Sequence, residues 1–128
     1  MANPTLRDAH EAFYRALGDI FRGDVTPMHD LWSHADDVTY MSPLGDLLVG
    51  WAPIRDAWAD QAATITGGPV NPEEVRLVES DGLGVVVGFE RGSIVIGGET
   101  QAVNIRATST YRCEDGDWKM IGHHTDRL

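Results

Sequence analysis

Apolar residues recur at helical spacing near the start of the chain. Leu6, Ala9, Phe13, Ala16, Leu17 and Ile20 form one stripe, the pattern of an amphipathic helix with one buried side. Asn3-Pro4 or Thr5-x-x-Asp8 supplies its start signal and Gly23 its stop. Thr26-Pro27 opens a short second helix with Met28, Leu31 and Trp32 as its apolar positions. Val38, Tyr40 and Ser42 then alternate with Thr39 and Met41, the period-2 pattern of a half-buried strand. Pro43, Leu44 and Gly45 interrupt it, and Gly50 ends a short second strand. Pro53 suits the first turn of a third helix, where its missing N–H has no helical partner to lose. Ile54, Ala57, Trp58, Ala62 and Ile65 follow at helical spacing, and Gly67-Gly68-Pro69 is expected to close that helix.

The second half is rich in β-branched and aromatic residues. Turn signals at Ser80-Asp81-Gly82, Gly97-Gly98 and Asp115-Gly116 divide it into strands near residues 73–80, 83–96, 100–113 and 117–125. Short connections make neighbours antiparallel. Gly84, Gly88 and Gly92 recur along one long strand and suggest bends or bulges. Helices first and long bent strands after them predict an α+β domain in which a curved, mainly antiparallel sheet wraps around the N-terminal helices.

The chain has 128 residues, enough for a single domain over residues 1–128 with a core that needs neither disulfide nor metal. Ten basic residues against twenty acidic ones give a formal charge of −10. There is no basic stripe, which argues against nucleic acid and anionic membrane as partners. Cys113 is the lone cysteine, so no intramolecular disulfide forms; with no signal-like apolar run at the N-terminus, a cytoplasmic location is expected. No stretch approaches the roughly 20 apolar residues of a membrane span. No H-E-x-x-H, paired-cysteine, Walker or G-x-G-x-x-G motif is present, so neither metal nor cofactor is expected. His10, His29 and His34 read as surface or cap residues.

Ala35-Asp36-Asp37-Val38-Thr39, Pro43, Gly45, Gly50, Ile54, Arg55 and Trp58 together resemble the equivalent stretch of the SnoaL-like polyketide cyclases and ketosteroid isomerases, members of the nuclear transport factor 2-like superfamily. Arg106-x-Thr108, Tyr111-Arg112, Asp115-Gly116-x-Trp118 and His124-Thr125 resemble the last two strands of SnoaL-like members. The resemblance implies a cone-shaped fold, a pocket between the concave sheet face and the helices, and a homodimer through the opposite face. Those relatives often end Trp-x-x-x-His-x-His; here Gly122 stands where the first histidine would be and His124 matches the second.

The same resemblance places Ser42 where ketosteroid isomerases carry the aspartate that moves the proton. A serine hydroxyl has no useful basicity near neutral pH, so the familiar isomerase mechanism is disfavoured. Asp36 and Asp37 read as capping residues at a strand entrance. Tyr40, sharing parity with Ser42, is expected to line the pocket. Tyr14 on the first helix either reaches the pocket mouth or packs with Phe13 and Phe21. At most one of His123 and His124 faces the pocket, because adjacent strand residues point to opposite sides. His124 shares parity with Trp118, Met120 and Asp126, which makes it the candidate acid–base group, oriented by Asp126; an ordinary hydrogen-bonded strand-end histidine is the other reading. Arg106 on a central strand needs a carboxylate partner, with Glu90 a candidate, or a ligand anion; its polar face is either the pocket or the dimer interface. Trp32, Trp58 and Phe89 complete an aromatic set that is core or the lining for a small planar or hydrophobic ligand. The expected catalytic set is therefore His124, Tyr40, Ser42 and Asp126, with Tyr14, Trp32, Trp58, Phe89 and Arg106 for ligand binding. Two functions fit: a cofactor-independent enzyme of the isomerase, cyclase or dehydratase type, or a non-catalytic domain that binds a ligand or dimerises.

Overall fold

A computed structural model describes residues 4–128; Asn3, one of the two candidate start signals, lies outside them. Helix α1 spans Leu6–Ile20 and starts at Thr5, whose hydroxyl accepts from the Asp8 amide while the Asp8 carboxylate accepts from the Thr5 amide. This reciprocal pair satisfies two of the four amides that a helix start leaves open. Leu6, His10, Phe13, Ala16, Leu17 and Ile20 are its buried side. Helix α2 is Thr26–Leu31, the short strands β1 and β2 are Thr39–Met41 and Leu48–Val49, and α3 is Trp51–Thr64 with Ile54 and Trp58 buried.

Four long strands follow: β3 Ile65–Ser80, β4 Leu83–Ile96, β5 Glu99–Glu114 and β6 Asp117–Arg127. One six-stranded sheet runs β2-β1-β6-β5-β4-β3. Its pairs are antiparallel except β1 with β6, which is parallel. The helices pack on one face, and the core of Phe13, Ile20, Met28, Trp32, Ile54, Trp58, Tyr111 and Met120 lies between them and the sheet. This is the α+β cone.

Gly67-Gly68-Pro69 does not form a loop that closes α3. The helix ends at Thr64, and the three residues lie inside β3, where the register shifts between Gly67 and Val70. The two glycines take φ of 97° and 105°, so the turn signal was absorbed as an irregularity within a strand that starts eight residues earlier than its β-branched residues suggest. The two register shifts between β3 and β4 put their extra residues on β3, beside Gly92 and Gly88 of β4. A Cβ on Gly92 would lie 1.9 Å from the Pro69 carbonyl oxygen, so only glycine lets β3 and β4 approach this closely.

A second irregularity decides which residues face the helices. Thr110 pairs with Gly122, but Tyr111 pairs with Met120, leaving Ile121 as one extra residue on β6. An extra residue reverses the side-chain alternation beyond it. Met120 faces the core before the bulge; His123 and Thr125 face it after.

Candidate functional site

Inward-facing positions of β4, β5 and β6 meet α1 inside the cone. Val86, Gly88 and Glu90 alternate along β4; Ala107, Ser109 and Tyr111 alternate along β5; His123 sits beside Ser109 across the ladder. His10 and Tyr14, one helical turn apart on α1, come down onto them.

These six polar side chains form two hydrogen-bonded groups that meet where the His10 and Tyr14 rings pack edge to face at 5.0 Å. The Tyr14 hydroxyl donates to Glu90 Oε2 at 2.9 Å. His123 Nε2 lies 3.3 Å from the same oxygen. On its other side, His123 Nδ1 is 2.9 Å from the Ser109 hydroxyl. His10 Nδ1 is 3.0 Å from the Tyr111 hydroxyl. All are buried except Tyr14, which is partly exposed; Glu90 keeps only 5% of its surface. Aromatic rings close around them: Phe13 lies 4.6 Å from the His123 ring centre, Tyr40 lies 5.9 Å from it, and Trp58 stacks on Tyr40.

The electrostatics follow from burial and partners. Burial pushes the Glu90 carboxyl up, but the His123 hydrogen bond and charge, the Tyr14 hydroxyl and His10 outweigh it and hold the group below the usual carboxylate range. A carboxylate so deeply buried remains ionised only because it is partnered. Burial, with His123 next, lowers His10 to about 4. Burial and the neighbouring Glu90 charge raise the Tyr14 phenol, which therefore stays a hydrogen-bond donor. A carboxylate, an imidazole at its side and a phenol donor on the same oxygen can take up, hold and return a proton.

The residues picked out by sequence divide between the two sheet faces. Tyr40, Trp32 and Trp58 are in the interior, where Tyr40 accepts from Gln61. Tyr14 reaches Glu90 rather than Phe21. Ser42 lies just past β1, with its hydroxyl bound to Asp46. His124, Asp126, Arg106 and Phe89 are on the outer face, around a hollow of about 440 Å³. His124 thus does not share the face of Trp118 and Met120, because the bulge at Ile121 reverses the parity between them. Arg106 pairs with Asp126 through two hydrogen bonds, both side chains exposed. Glu90 is not its partner, because Arg106 lies opposite Phe89 while Glu90 lies opposite Ile105 on the other face. Asp37 binds Arg112 across the sheet.

Sequence reasoning missed His10, Glu90, Ser109, Tyr111 and His123 as a group. His10 stands in the apolar stripe of α1 at positions 6, 10, 13 and 17, a signal that was available. The inward turn of His123 had no signal, because nothing in Met120-Ile121-Gly122 marks a bulge.

An N-terminal helix pair and a third helix held against a curved, unclosed mixed sheet define a nuclear transport factor 2-like protein. The chain belongs to the SnoaL-like domain family, whose sequence model matches residues 6–125. Among solved structures, it is similar to a protein from Thiobacillus denitrificans named as a calcium/calmodulin-dependent protein kinase type II association domain. The two share 26% identity over 100% of this chain and 98% of the other, with a TM-score of 0.73. It is similar in fold to a Streptomyces avermitilis protein named as a dehydratase of the nuclear transport factor 2-like family (20% identity, 94% and 92% covered, TM-score 0.79). A nuclear transport factor 2-like superfamily protein from Salmonella enterica shares 17% identity over 91% and 86%, with a TM-score of 0.80. A search of curated proteins finds no match. No helix among the described residues is long and apolar enough to cross a membrane.

Proposed function

We propose that this protein is a cofactor-independent enzyme that moves a proton on a small hydrophobic or planar molecule, in an isomerisation, cyclisation or dehydration. The observation that carries this reading is the buried Tyr14–Glu90–His123 set. Glu90 and His123 share the proton taken from the substrate, and their proximity keeps the charge change within one pair. Tyr14, the least buried member, turns its one hydroxyl hydrogen from Glu90 to the oxygen on which negative charge develops, as Glu90 takes up the proton. Tyr40, Trp58 and Phe13 provide the apolar walls. His124, Asp126 and Ser42, three of the four residues expected from sequence to be catalytic, have no part in this set. The outer sheet face, with Arg106 and Phe89, is read as the surface that pairs two copies in a homodimer.

The test is substrate-agnostic. A panel of enolisable cyclic ketones and β-hydroxy ketones in deuterated buffer, followed by NMR, reads catalysed exchange of the acidic hydrogen. We expect His123→Gln and Glu90→Gln each to reduce exchange by about 10²- to 10⁴-fold, the range of positioned acid–base catalysis, and His124→Gln to leave it unchanged. Full exchange by His123→Gln would overturn the reading.

A second reading is a ligand-binding domain without catalysis. It is favoured by one observation: both ring nitrogens of His123 already have protein partners, so the cluster is complete without a substrate. Native mass spectrometry showing the same co-purified molecule in wild type and His123→Gln, with no exchange in either, would select it.

A further inference from the structure

Three buried side-chain nitrogens among the described residues have no hydrogen-bond partner: His29 Nε2, Trp32 Nε1 and Trp58 Nε1. All three lie along one tract of rings carried by α2, α3 and β1. The His29 ring meets Trp51 edge to face at 5.4 Å, and Trp51 lies 6.3 Å from Trp32. Trp32 lies 6.4 Å from Trp58, which stacks on Tyr40 at 5.0 Å. The tract begins at the surface, where the exposed His34 ring lies flat on half-buried Trp51 at 4.3 Å. It ends at Tyr40, 5.9 Å from the His123 ring. Trp32 is mounted rigidly, by a parallel bridge to Met120 and by the Ser33 amide, which donates to the Met120 carbonyl at 2.9 Å.

Trp32 and Trp58 each keep 1% of their surface, so bulk solvent does not serve their N–H groups. An indole N–H donates and cannot accept, and leaving one buried without an acceptor is costly. A ring needed only for packing would carry no such group, as Phe13 does not, 6.1 Å from Trp58. Tyr40 adds a third donor. Gln61 donates to its phenol oxygen at 3.0 Å, which leaves the phenol hydrogen for another acceptor, and burial pushes the phenol pKa up so that it keeps that hydrogen. The tract therefore gathers flat apolar faces and hydrogen-bond donors without matching acceptors.

We propose that the tract of Trp32, Trp58 and Tyr40 is the seat of a planar, uncharged, oxygen-bearing ligand whose oxygens accept from the Trp32 and Trp58 N–H groups. The seat rests on the reading of this interior as the site for a small planar molecule, and it adds the polar chemistry that such a molecule must carry. Flat faces select a flat partner, and unpaired donors select ketone, lactone or ether oxygens. An anionic oxygen would fit less well, since the nearby Glu90 carboxylate would repel it and burial would strip its water. The His34 ring on Trp51 shows that the outer end of the tract accepts a flat ring face to face. A molecule seated along the inner end lies beside His123, where the proposed proton transfer takes place.

The test is ¹H–¹⁵N NMR of the indole N–H signals of the full chain, titrated with chromone and coumarin. Both are planar and oxygen-bearing, and neither carries an acidic hydrogen, so binding is read apart from turnover. Naphthalene, of the same shape without oxygen, is the control. The Trp32 and Trp58 signals are expected to move downfield with both oxygen-bearing probes, beyond any shift caused by naphthalene, while Trp118, outside the tract, stays in place. Trp58→Phe keeps a ring and removes the N–H; it should weaken chromone binding about fivefold, as expected for one hydrogen bond, and naphthalene binding less than about twofold. Trp32 and Trp58 signals unmoved by both probes would overturn the seat, as would equal shifts with naphthalene. Contact of both N–H groups with a bound water that persists at saturating probe would overturn it too. The wild-type spectrum decides the point even where Trp58→Phe does not fold. Movement of both signals with no exchange from any ketone of the panel would leave the seat standing and remove the proposed reaction; exchange with both signals unmoved would do the reverse.

Discussion

The two faces of the sheet carry similar residues in opposite circumstances. Glu90 and His123 on the inner face, and Asp126, Arg106 and His124 on the outer face, come from neighbouring positions of the same three strands. On the outer face, Arg106 and Asp126 make two hydrogen bonds of 2.9 and 2.8 Å with more than 40% of each side chain in water. On the inner face, the Glu90–His123 contact is longer, 3.3 Å, but almost fully buried. Geometry alone would rank the outer pair first. Solvent reverses the ranking, because water screens the exposed pair and would compete for its hydrogen bonds, while the buried carboxylate has only its protein partners.

The largest effect that separates the faces should therefore be on stability. Glu90→Ala removes the acceptor of one buried and one part-buried donor, leaving His123 and Tyr14 without it. Truncating one side of a buried pair costs about 3–5 kcal/mol, whereas Arg106→Ala should cost under about 1 kcal/mol, the usual range of an exposed pair. Urea denaturation of both variants measures the difference. Equal losses would mean that burial does not distinguish the two pairs and would undercut the interior cluster as described.

How far this division could be read from sequence depends on which strand is considered. The elements were legible: the α1 stripe, the Gly50–Pro53 entry to α3, and the turns at 80–82 and 115–116. The cone followed from the resemblance as much as from those signals. Facing was only half legible along β4 and β5: alternation is unbroken, but which side is inner was left open, with Phe89 grouped among the interior aromatics and Glu90 offered as a partner of Arg106. Val86 and Glu90 share one side there, and Phe89 and Arg106 share the other. It failed on β6, where Ile121 is inserted without a glycine, proline or asparagine to mark it, and one inserted residue transfers His124 to the outside and His123 to the inside. The start of β3 failed for the opposite reason: Gly67-Gly68-Pro69 has the composition of a loop but is held in a strand by pairing with β4. His10 could have been found, since it interrupts an apolar stripe, but a histidine there is ordinarily read as surface until its partner on a distant strand is known.

The next effect is on pH dependence, and above the carboxylate range it should come from the inner face. His10 has a folded-state pKa of about 4 against an ordinary 6.5. Between those values the unfolded chain binds a proton that the folded one refuses, so stability is complete above about pH 6.5 and falls as the pH drops toward 4, by up to about 3 kcal/mol. Glu90 adds a separate loss further toward acid, since its depressed carboxyl stabilises the fold above the ordinary carboxylate range and ceases to as it protonates. His10→Gln should flatten the upper part of the profile and leave the lower part, as read by melting temperature against pH. An unchanged profile would show that His10 is not held neutral by the fold.

The smallest effect on the fold should come from the outer face, where the consequence is instead for association. Val78, Leu83, Val85 and Val87 share that face and remain 70%, 50%, 37% and 40% exposed. A run of apolar side chains along two neighbouring strands is unusual on a solvent-facing sheet and suits a contact between copies. Val87→Asp replaces an exposed residue, so monomer stability should change by no more than about 0.5 kcal/mol. A charge near the centre of the proposed homodimer face should nevertheless convert a dimer to monomer in sedimentation velocity. A wild-type monomer, or a dimer indifferent to Val87→Asp, would assign this face to solvent. The contrast between the faces would then be one of burial alone, not of a site against an interface.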